Sequence, residues 1–361
     1  MQLDDQRLHI LRQKITESLR IQRDSREAVP YIDAANVLGD ICSRQNHTIF
    51  ARRGCGKTLL LHHSTLRLND QSDTIRTVYL NCEDFKRHSF PNVLIEIVDA
   101  LFHELETHLT GWFGRKRRSR ALIKEIRTNL AQLKAADDNT DETVRFVTSS
   151  ERSSSLTGSL GFGRERVVDS KLGASNSTTS KAETERTFTR HQEKIRALDM
   201  HLPHLKQLLR EFFTLSASVQ SVFLQIDDLY HLRKSDQPFV IDYIHRLCKD
   251  LPLYFKVATL RHASSLYIDR EGQPIGAQER HDYQPINIDY TFADFPRTRD
   301  QNRKIFLEFG KLAAIDDDDI NDLFKGQGFD RRVMAGGGVP RDTLSLFLEV
   351  LGTVQSQGGD R

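Results

Sequence analysis

The chain has 361 residues, and its 52 Lys and Arg against 50 Asp and Glu leave a formal charge of +2, so no overall basic field announces nucleic acid and any such contact has to be a local patch. Hydrophobic residues make up 38% and mean hydropathy is −0.50; part of the length is therefore expected as exposed arm or loop around one large domain or roughly two to three modest ones. No apolar run approaches about 18 residues, which excludes a spanning helix.

Residues 1–30 read as an exposed amphipathic helix. Leu8, Leu11, Ile15 and Leu19 fall on one face, charges occupy the rest, and Pro30 ends the run. The acidic start, Met1-Gln2-Leu3-Asp4-Asp5, is unlike a secretory leader. Cys42, Cys55, Cys82 and Cys248 are scattered without a C-x-x-C pair, which fits reduced thiols of a cytosolic protein better than a disulfide frame or zinc site.

A strand predicted over 47–51 leads into Ala51-Arg52-Arg53-Gly54-Cys55-Gly56-Lys57-Thr58, and a helical run over 57–67 follows. Strand, Gly-rich turn, Lys-Thr and helix is the order that holds a nucleoside triphosphate. Backbone N–H groups from Arg53 to Thr58 would curl around phosphate oxygens at a helix N-terminus. Lys57 would reach the β- and γ-phosphates of ATP, and Thr58 would place its hydroxyl on Mg²⁺. The pattern departs from G-x-x-x-x-G-K-[ST] at its first position, where Ala51 is tolerated if φ stays negative. The plain alternative is a chance Gly-Lys-Thr in a loop. Because Cys55 lies within the loop, alkylating it is expected to hinder nucleotide binding.

Next come a strand over 76–81 and a helix over 91–108. Thr58 then stands about 170 positions ahead of Asp227, far more than βαβ units of roughly 30 residues require, so something is inserted. Leu122, Ile126, Leu130 and Leu133 make one helical stripe. Ile195, Leu198, Leu202, Leu205, Leu209 and Phe212 make a heptad-like seam, with Pro203 as a point of kinking or restart. These segments either pair as an antiparallel hairpin projecting from the core or stand as separate helices covering the sheet. Between them, 137–188 is rich in Ser, Thr, Gly and charge, and disorder in isolation is its default. The sharper alternative is a hairpin arm using Leu156, Leu160, Phe162, Val167, Val168 and Leu172 on a partner or in an oligomer. The cluster Arg115-Lys116-Arg117-Arg118 opens the insertion. It is either a DNA contact or, the plainer reading, a solvated helix start.

Val222 to Ile226 is an apolar, β-prone run within a strand over 220–226 that delivers Asp227 and Asp228. A strand buried on both faces reads this way, and carboxylates at its C-terminal end emerge beside the phosphate loop. The alternative is an Asp-rich helix cap. A helix over 238–249, a strand over 254–260 and a weaker strand over 286–290 follow, so strand and helix alternate as in a parallel sheet wrapped on both sides. Asp316-Asp317-Asp318-Asp319 reads as a helix start and not as a metal site. Gly336-Gly337-Gly338-Val339-Pro340-Arg341-Asp342 opens the apolar helix from Leu344 to Leu351, with Pro in its first turn.

Ala51–Thr58 and Val222–Asp228 resemble the Walker A and Walker B motifs. Together with Val257-Ala258-Thr259-Leu260-Arg261 and Gly338-Val339-Pro340-Arg341, which resemble the two sensor segments, they make the chain similar to AAA+ ATPases, most nearly the origin-recognition type, with the STAND ATPases close by. The resemblance covers about 31–108 and 214–355. It implies an α/β P-loop NTPase with a three-layer parallel sheet of the additional-strand class, a small helical lid and a long inserted segment. It implies ATP and Mg²⁺ as ligands, Asp227 on the metal through water, and Asp228 polarising the attacking water. Arg261 or Thr259, and Arg341, would sense the γ-phosphate. Relatives often carry Glu where Asp228 stands, so slow or switch-like turnover is expected. Arg246, Arg270 and Arg280 are candidate arginine fingers in a homo-oligomer. The winged-helix DNA-binding domain of origin-recognition relatives is expected to be missing, since only a short tail follows the lid. The organisation expected is an N-terminal helix over 1–30, core over 31–110 and 214–292, insertion over 111–213, and lid over 293–361.

The function these readings imply is a cytoplasmic AAA+-like ATPase, the switch or motor subunit of an effector-protein or DNA system, with a bacterial DNA-transaction or phage-defence setting implied by the resemblance alone. The rival is a nucleotide-gated scaffold with little turnover. A small-molecule P-loop kinase fits the long insertion poorly.

Overall fold

The computed structural model describes residues 5–19, 31–33, 36–88, 90–107, 115–135, 194–216, 219–270 and 272–357. The Ser/Gly-rich segment 137–188, and with it the expected arm, lies outside the described residues. The chain forms two compact units, Met1–Arg87 with Ser218–Arg361, and His88–Ala217.

In the first unit, four strands follow from short runs rich in apolar and β-prone residues. β1 (His47–Phe50) is buried throughout, and so are all seven residues of β3 (Ser221–Asp227). β4 (Leu253–Thr259) is buried except at Tyr254. β2 (Ile75–Asn81) and β7 (Gln284–Asn287) are half-covered and form the edges of a five-stranded parallel sheet of order β2-β3-β4-β1-β7. Pro285 sits on edge strand β7, where a missing N–H is tolerated. β4 therefore lies between the strand entering the Gly-rich loop and the strand ending in the carboxylates. The last strand starts two residues earlier than its apolar pattern suggests, and its end is used differently. Ile288 still donates to Phe50 O (3.3 Å), and Asp289 then turns toward Arg52.

A single turn, α2 (Leu38–Ile41), precedes β1 and buries Ile41. α3 (Lys57–Gln71) joins β1 to β2, and α7 (Gln237–Cys248) joins β3 to β4. These crossovers run in opposite directions along the sheet, so a right-handed path places them on opposite faces. Gln225 locks α3 to β3, donating to Leu61 O (3.2 Å) and Ser64 Oγ (3.0 Å) and accepting from Thr65 Oγ1 (3.1 Å). A small antiparallel hairpin, β5 (Tyr267–Arg270) and β6 (Gln273–Gly276), follows β4. Its strands are mostly exposed and polar, so they carry no apolar alternation to announce them.

The C-terminal part is helical: α8 (Phe295–Leu312), α9 (Asp317–Leu323), α10 (Gly328–Ala335) and α11 (Pro340–Ser356). Asp316 caps α9 by accepting from Asp319 N (2.8 Å), with three more carboxylates in its first turn, where the helix dipole favours negative charge.

α1 (Gln6–Ser18) corrects the expectation of an exposed N-terminal helix. Leu8, Leu11 and Ile15 are fully buried in one cluster with Phe306, Phe309, Ile320, Phe329, Phe347 and Leu351. The amphipathic stripe is thus one wall of the lid core, each such side chain contributing about 1.5–3 kcal/mol by burial. Arg7 fastens the start of α1 to the lid, donating to Asp319 Oδ2 (2.6 Å) and Ala314 O (3.2 Å).

In the second unit, α4 (Asn92–Thr107), α5 (Arg115–Ala135) and the helical residues 194–215 (α6) associate. Arg127 bridges Asp99 (3.0 Å) and Glu106 (2.8 Å), and Lys134 pairs with Glu96, so α5 runs antiparallel to α4. Lys194 donates to Asn92 Oδ1 (2.9 Å), and Arg118 faces Glu211 (3.9 Å), so α6 returns antiparallel to α5. Leu198, Leu202, Leu205, Leu209 and Phe212 are buried, and the helix continues through Pro203. The two insertion helices thus pair as an antiparallel hairpin and take α4 as a third member. The basic cluster forms the first turn of α5.

Leu11→Ala is expected to lower stability by about 2–4 kcal/mol, read as a shifted urea midpoint at unchanged m-value. A neutral result would contradict burial of α1 in the lid core.

Candidate nucleotide site at the sheet edge

Parallel pairing sends the C-terminal ends of β1, β3 and β4 to one edge of the sheet, where ligands bind in open α/β folds. From β1 the chain turns through Ala51–Gly56 into α3. Ala51 is absent from the residues with positive φ, while Gly54 and Gly56 stand at φ 83° and 89°, a region that strains side-chain-bearing residues. Gly54 also answers a close approach, since a Cβ there would lie 2.8 Å from both Arg341 Cβ and Val339 Cγ1. Gly56 caps α3 with open space where its side chain would be. The first N–H groups of α3, from Lys57 on, have no carbonyl four residues back within the helix and are the donors such a cradle offers.

Lys57 is 5% exposed and its Nζ donates to Ala51 O (3.1 Å) and Arg52 O (3.2 Å). Burial lowers its pKa, while Asp228 and Asp227 oppose that shift; both carboxylates thus act on the loop lysine. Arg53 donates from Nε to Tyr230 Oη (3.1 Å), with its guanidinium 4.8 Å over the Tyr230 ring. Thr58 is partly exposed in the first turn of α3.

Asp227 ends β3 fully buried. Its Oδ2 accepts from Tyr79 Oη (2.7 Å) and its Oδ1 from Asp228 N (2.9 Å). Asp228 has left-handed φ and ψ of 53° and 43°, which Asp adopts more readily than most residues. Burial, and then the neighbouring Asp227 charge, raise its pKa. A carboxylate that ionises reluctantly is a group suited to proton transfer.

The two sensor candidates differ. Arg341, at the start of α11, donates its backbone N–H to Gly54 O (3.3 Å) and so abuts the loop. Arg261 is drawn elsewhere. Its guanidinium lies 4.0 Å from the Phe50 ring centre and donates to Glu279 (3.1 Å) and Asn287 (3.3 Å). Thr259 is buried, its hydroxyl paired with Ser264 Oγ. A cleft of about 870 Å³ opens between the loop and the lid, with Arg52, Arg53, Leu260 and His262 on one side and Asp342 and Glu349 on the other.

Four contributors carry no sequence signal of their own: Arg52, Tyr79, Tyr230 and Asp289. Tyr79 is readable only as a residue of β2, and Asp289 only as a carboxylate past a weak strand. Asp289 Oδ2 accepts from Arg52 N (2.9 Å) and Arg52 Nε (2.8 Å), and Oδ1 from Arg52 Nη2 (2.9 Å). Burial works to raise the Asp289 pKa, but the Arg52 hydrogen bonds, with help from the Cys55 thiol, hold it below the usual range. Burial pushes Cys55 up to about 12, which alters the alkylation expectation: the thiolate that would react is scarce in the folded loop.

The residues fit a nucleoside triphosphate with its metal. They offer helix-start N–H groups, a buried lysine, a hydroxyl at Thr58 and a buried carboxylate at Asp227. Among the described residues no cluster of His, Cys, Asp and Glu holds a metal by itself, and a phosphate-bound Mg²⁺ needs only one or two protein ligands. No described helix is long and apolar enough to cross a membrane.

No family model matches the chain, and no curated protein matches it. Among solved structures, a Walker-type ATPase of Pyrococcus abyssi aligns over 94% of this chain and 78% of its own at 10% identity and a TM-score of 0.34, a likeness too slight to carry an argument.

At neutral pH, iodoacetamide is expected to modify Cys55 in the folded protein more than about tenfold slower than in urea-unfolded protein, measured by peptide mass spectrometry. Equal rates would contradict the buried thiol. The parallel sheet with β4 between the loop strand and the carboxylate strand, helices on both faces, and the Gly-Lys-Thr turn opening α3 make this an α/β P-loop NTPase fold.

Proposed function

We propose that the chain binds ATP with Mg²⁺ and hydrolyses it as an AAA+-like switch or motor subunit, of origin-recognition or STAND type. The observation that carries this reading is that the Gly-rich turn holding buried Lys57 and the carboxylates that follow β3 meet at one end of the sheet, one strand apart. In this reading Lys57 exchanges the carbonyls of Ala51 and Arg52 for phosphate oxygens. The N–H groups from Arg53 to Thr58 cradle the phosphates. Thr58 and Asp227 hold Mg²⁺, which when bound neutralises phosphate charge and polarises the reacting phosphoryl group. Tyr79 fixes the Asp227 carboxylate, and Asp228 orients the attacking water and accepts its proton.

Arg341 reports the γ-phosphate from the lid, and Arg261 does so after leaving Glu279. The partner is a second copy of the chain or an effector protein. DNA contact through Arg115, Lys116, Arg117 and Arg118 is supported by their place on the first turn of α5, where the helix dipole disfavours positive charge and an anion would relieve it. A scaffold that binds ATP with little turnover is favoured by one observation: the short Asp228 side chain in a left-handed conformation.

The test is ATP turnover at varied protein concentration, with and without duplex DNA at low salt, for wild type, Lys57→Ala and Asp228→Asn. The motor reading expects turnover rising more than linearly with concentration and lost in both variants. Turnover retained in Asp228→Asn would sink the motor reading. ATP binding with negligible turnover at every concentration would establish the scaffold.

A further inference from the structure

Arg52 stands at a variable position of the Gly-rich loop, yet it has more fixed partners than any of the residues proposed to touch phosphate. Its backbone N–H, Nε and Nη2 are all engaged by Asp289. Its Nη1 donates to Gly337 O (2.9 Å), and its Nη2 also reaches Tyr290 O (3.2 Å). Gly337 lies in the glycine run that enters α11, and Tyr290 lies in the link from β7 to α8. One planar guanidinium thus joins the loop to the link by which the chain enters the lid and to the turn between α10 and α11 within it.

A second connection runs beside it. Arg341 N donates to Gly54 O (3.3 Å), and Gly54 has no room for a side chain against Val339 and Arg341. A shift of the Arg52–Gly54 backbone therefore either carries the segment from Gly337 to Arg341 with it or breaks these bonds. A bidentate Arg–carboxylate pair has fixed geometry, so it transmits displacement where a single flexible contact would absorb it.

Building on the nucleotide reading above, we propose that Asp289 and Arg52 form a latch that couples the conformation of the phosphate loop to the position of the lid. The latch tells the lid whether phosphate is bound; Asp289 is a positioning residue and touches no phosphate. Ligand and lid are then linked reciprocally: what the nucleotide does to the entry of α11, a partner holding α11 does to nucleotide affinity.

The experiment is hydrogen exchange of residues 337–351, with and without Mg²⁺-ATP, on full-length wild type, Asp289→Asn and Arg7→Ala, with nucleotide affinity measured on the same samples. Arg7→Ala loosens the lid at its contact with α1 and leaves the latch intact. Wild type and Arg7→Ala are expected to change exchange in this segment when nucleotide binds. Asp289→Asn is expected to bind nucleotide while its lid response falls by about fivefold or more. A full response in Asp289→Asn overturns the latch and leaves the nucleotide reading standing. An equal loss in Arg7→Ala overturns it too, since general loosening would then suffice. Absence of nucleotide binding by wild type overturns the nucleotide reading itself, and the latch with it.

Discussion

Parallel pairing of β4 with both β1 and β3 is the constraint on which the candidate site depends. It spaces the Gly-rich loop and the Asp227 carboxylate one strand apart and directs both to the same edge. Antiparallel placement of either strand would send lysine and carboxylates to opposite ends of the sheet. The continuous burial of β1 and β3 makes that placement stable, because strands covered on both faces have no polar side to turn to water. Gln225 is a buried polar residue within β3, and its side-chain amide is fully used against α3.

Charge around the loop is arranged with little slack. Lys57 is buried among carbonyls and within the field of two carboxylates. Asp227 has both oxygens occupied, and Arg52 and Asp289 satisfy one another. Buried polar groups are costly unless paired, so the pairs also hold the loop in shape. The lid follows a different logic. It is an apolar cluster of helices completed by α1 from the start of the chain, joined to the loop through Arg52, Asp289 and the entry to α11. A site of this kind has a rigid floor and a separately built wall.

Much of this was legible in the sequence, for identifiable reasons. The four main strands are runs rich in apolar and β-prone residues between polar turns, and the Gly-Lys-Thr turn has its strand and helix on the required sides. The helical stripes of the insertion were legible in part: Ile126, Leu130, Leu198 and Leu209 are buried as their spacing suggests, whereas Leu122, Leu133 and Ile195 are half-buried and Ile123 takes an inner place instead. Periodicity marks which face is apolar but not what covers it, so α1 reads as an exposed helix although it walls the lid. The hairpin β5–β6 is polar and short and gives no periodic signal. Arg52 and Asp289 lie 237 positions apart, and only the register of β7 beside β1 brings them together. Arg261 shows the converse. The residue type at the strand tip suits a phosphate sensor, and the fold supplies Glu279 as a competing partner.

The most direct test of the central claim is calorimetric titration of ATP into wild type and Lys57→Ala, with and without Mg²⁺. The account predicts saturable binding by wild type, strengthened by Mg²⁺, and at least about tenfold weaker binding by the variant, or about 1.4 kcal/mol. Equal affinity in the two proteins, or no binding by wild type, would contradict it.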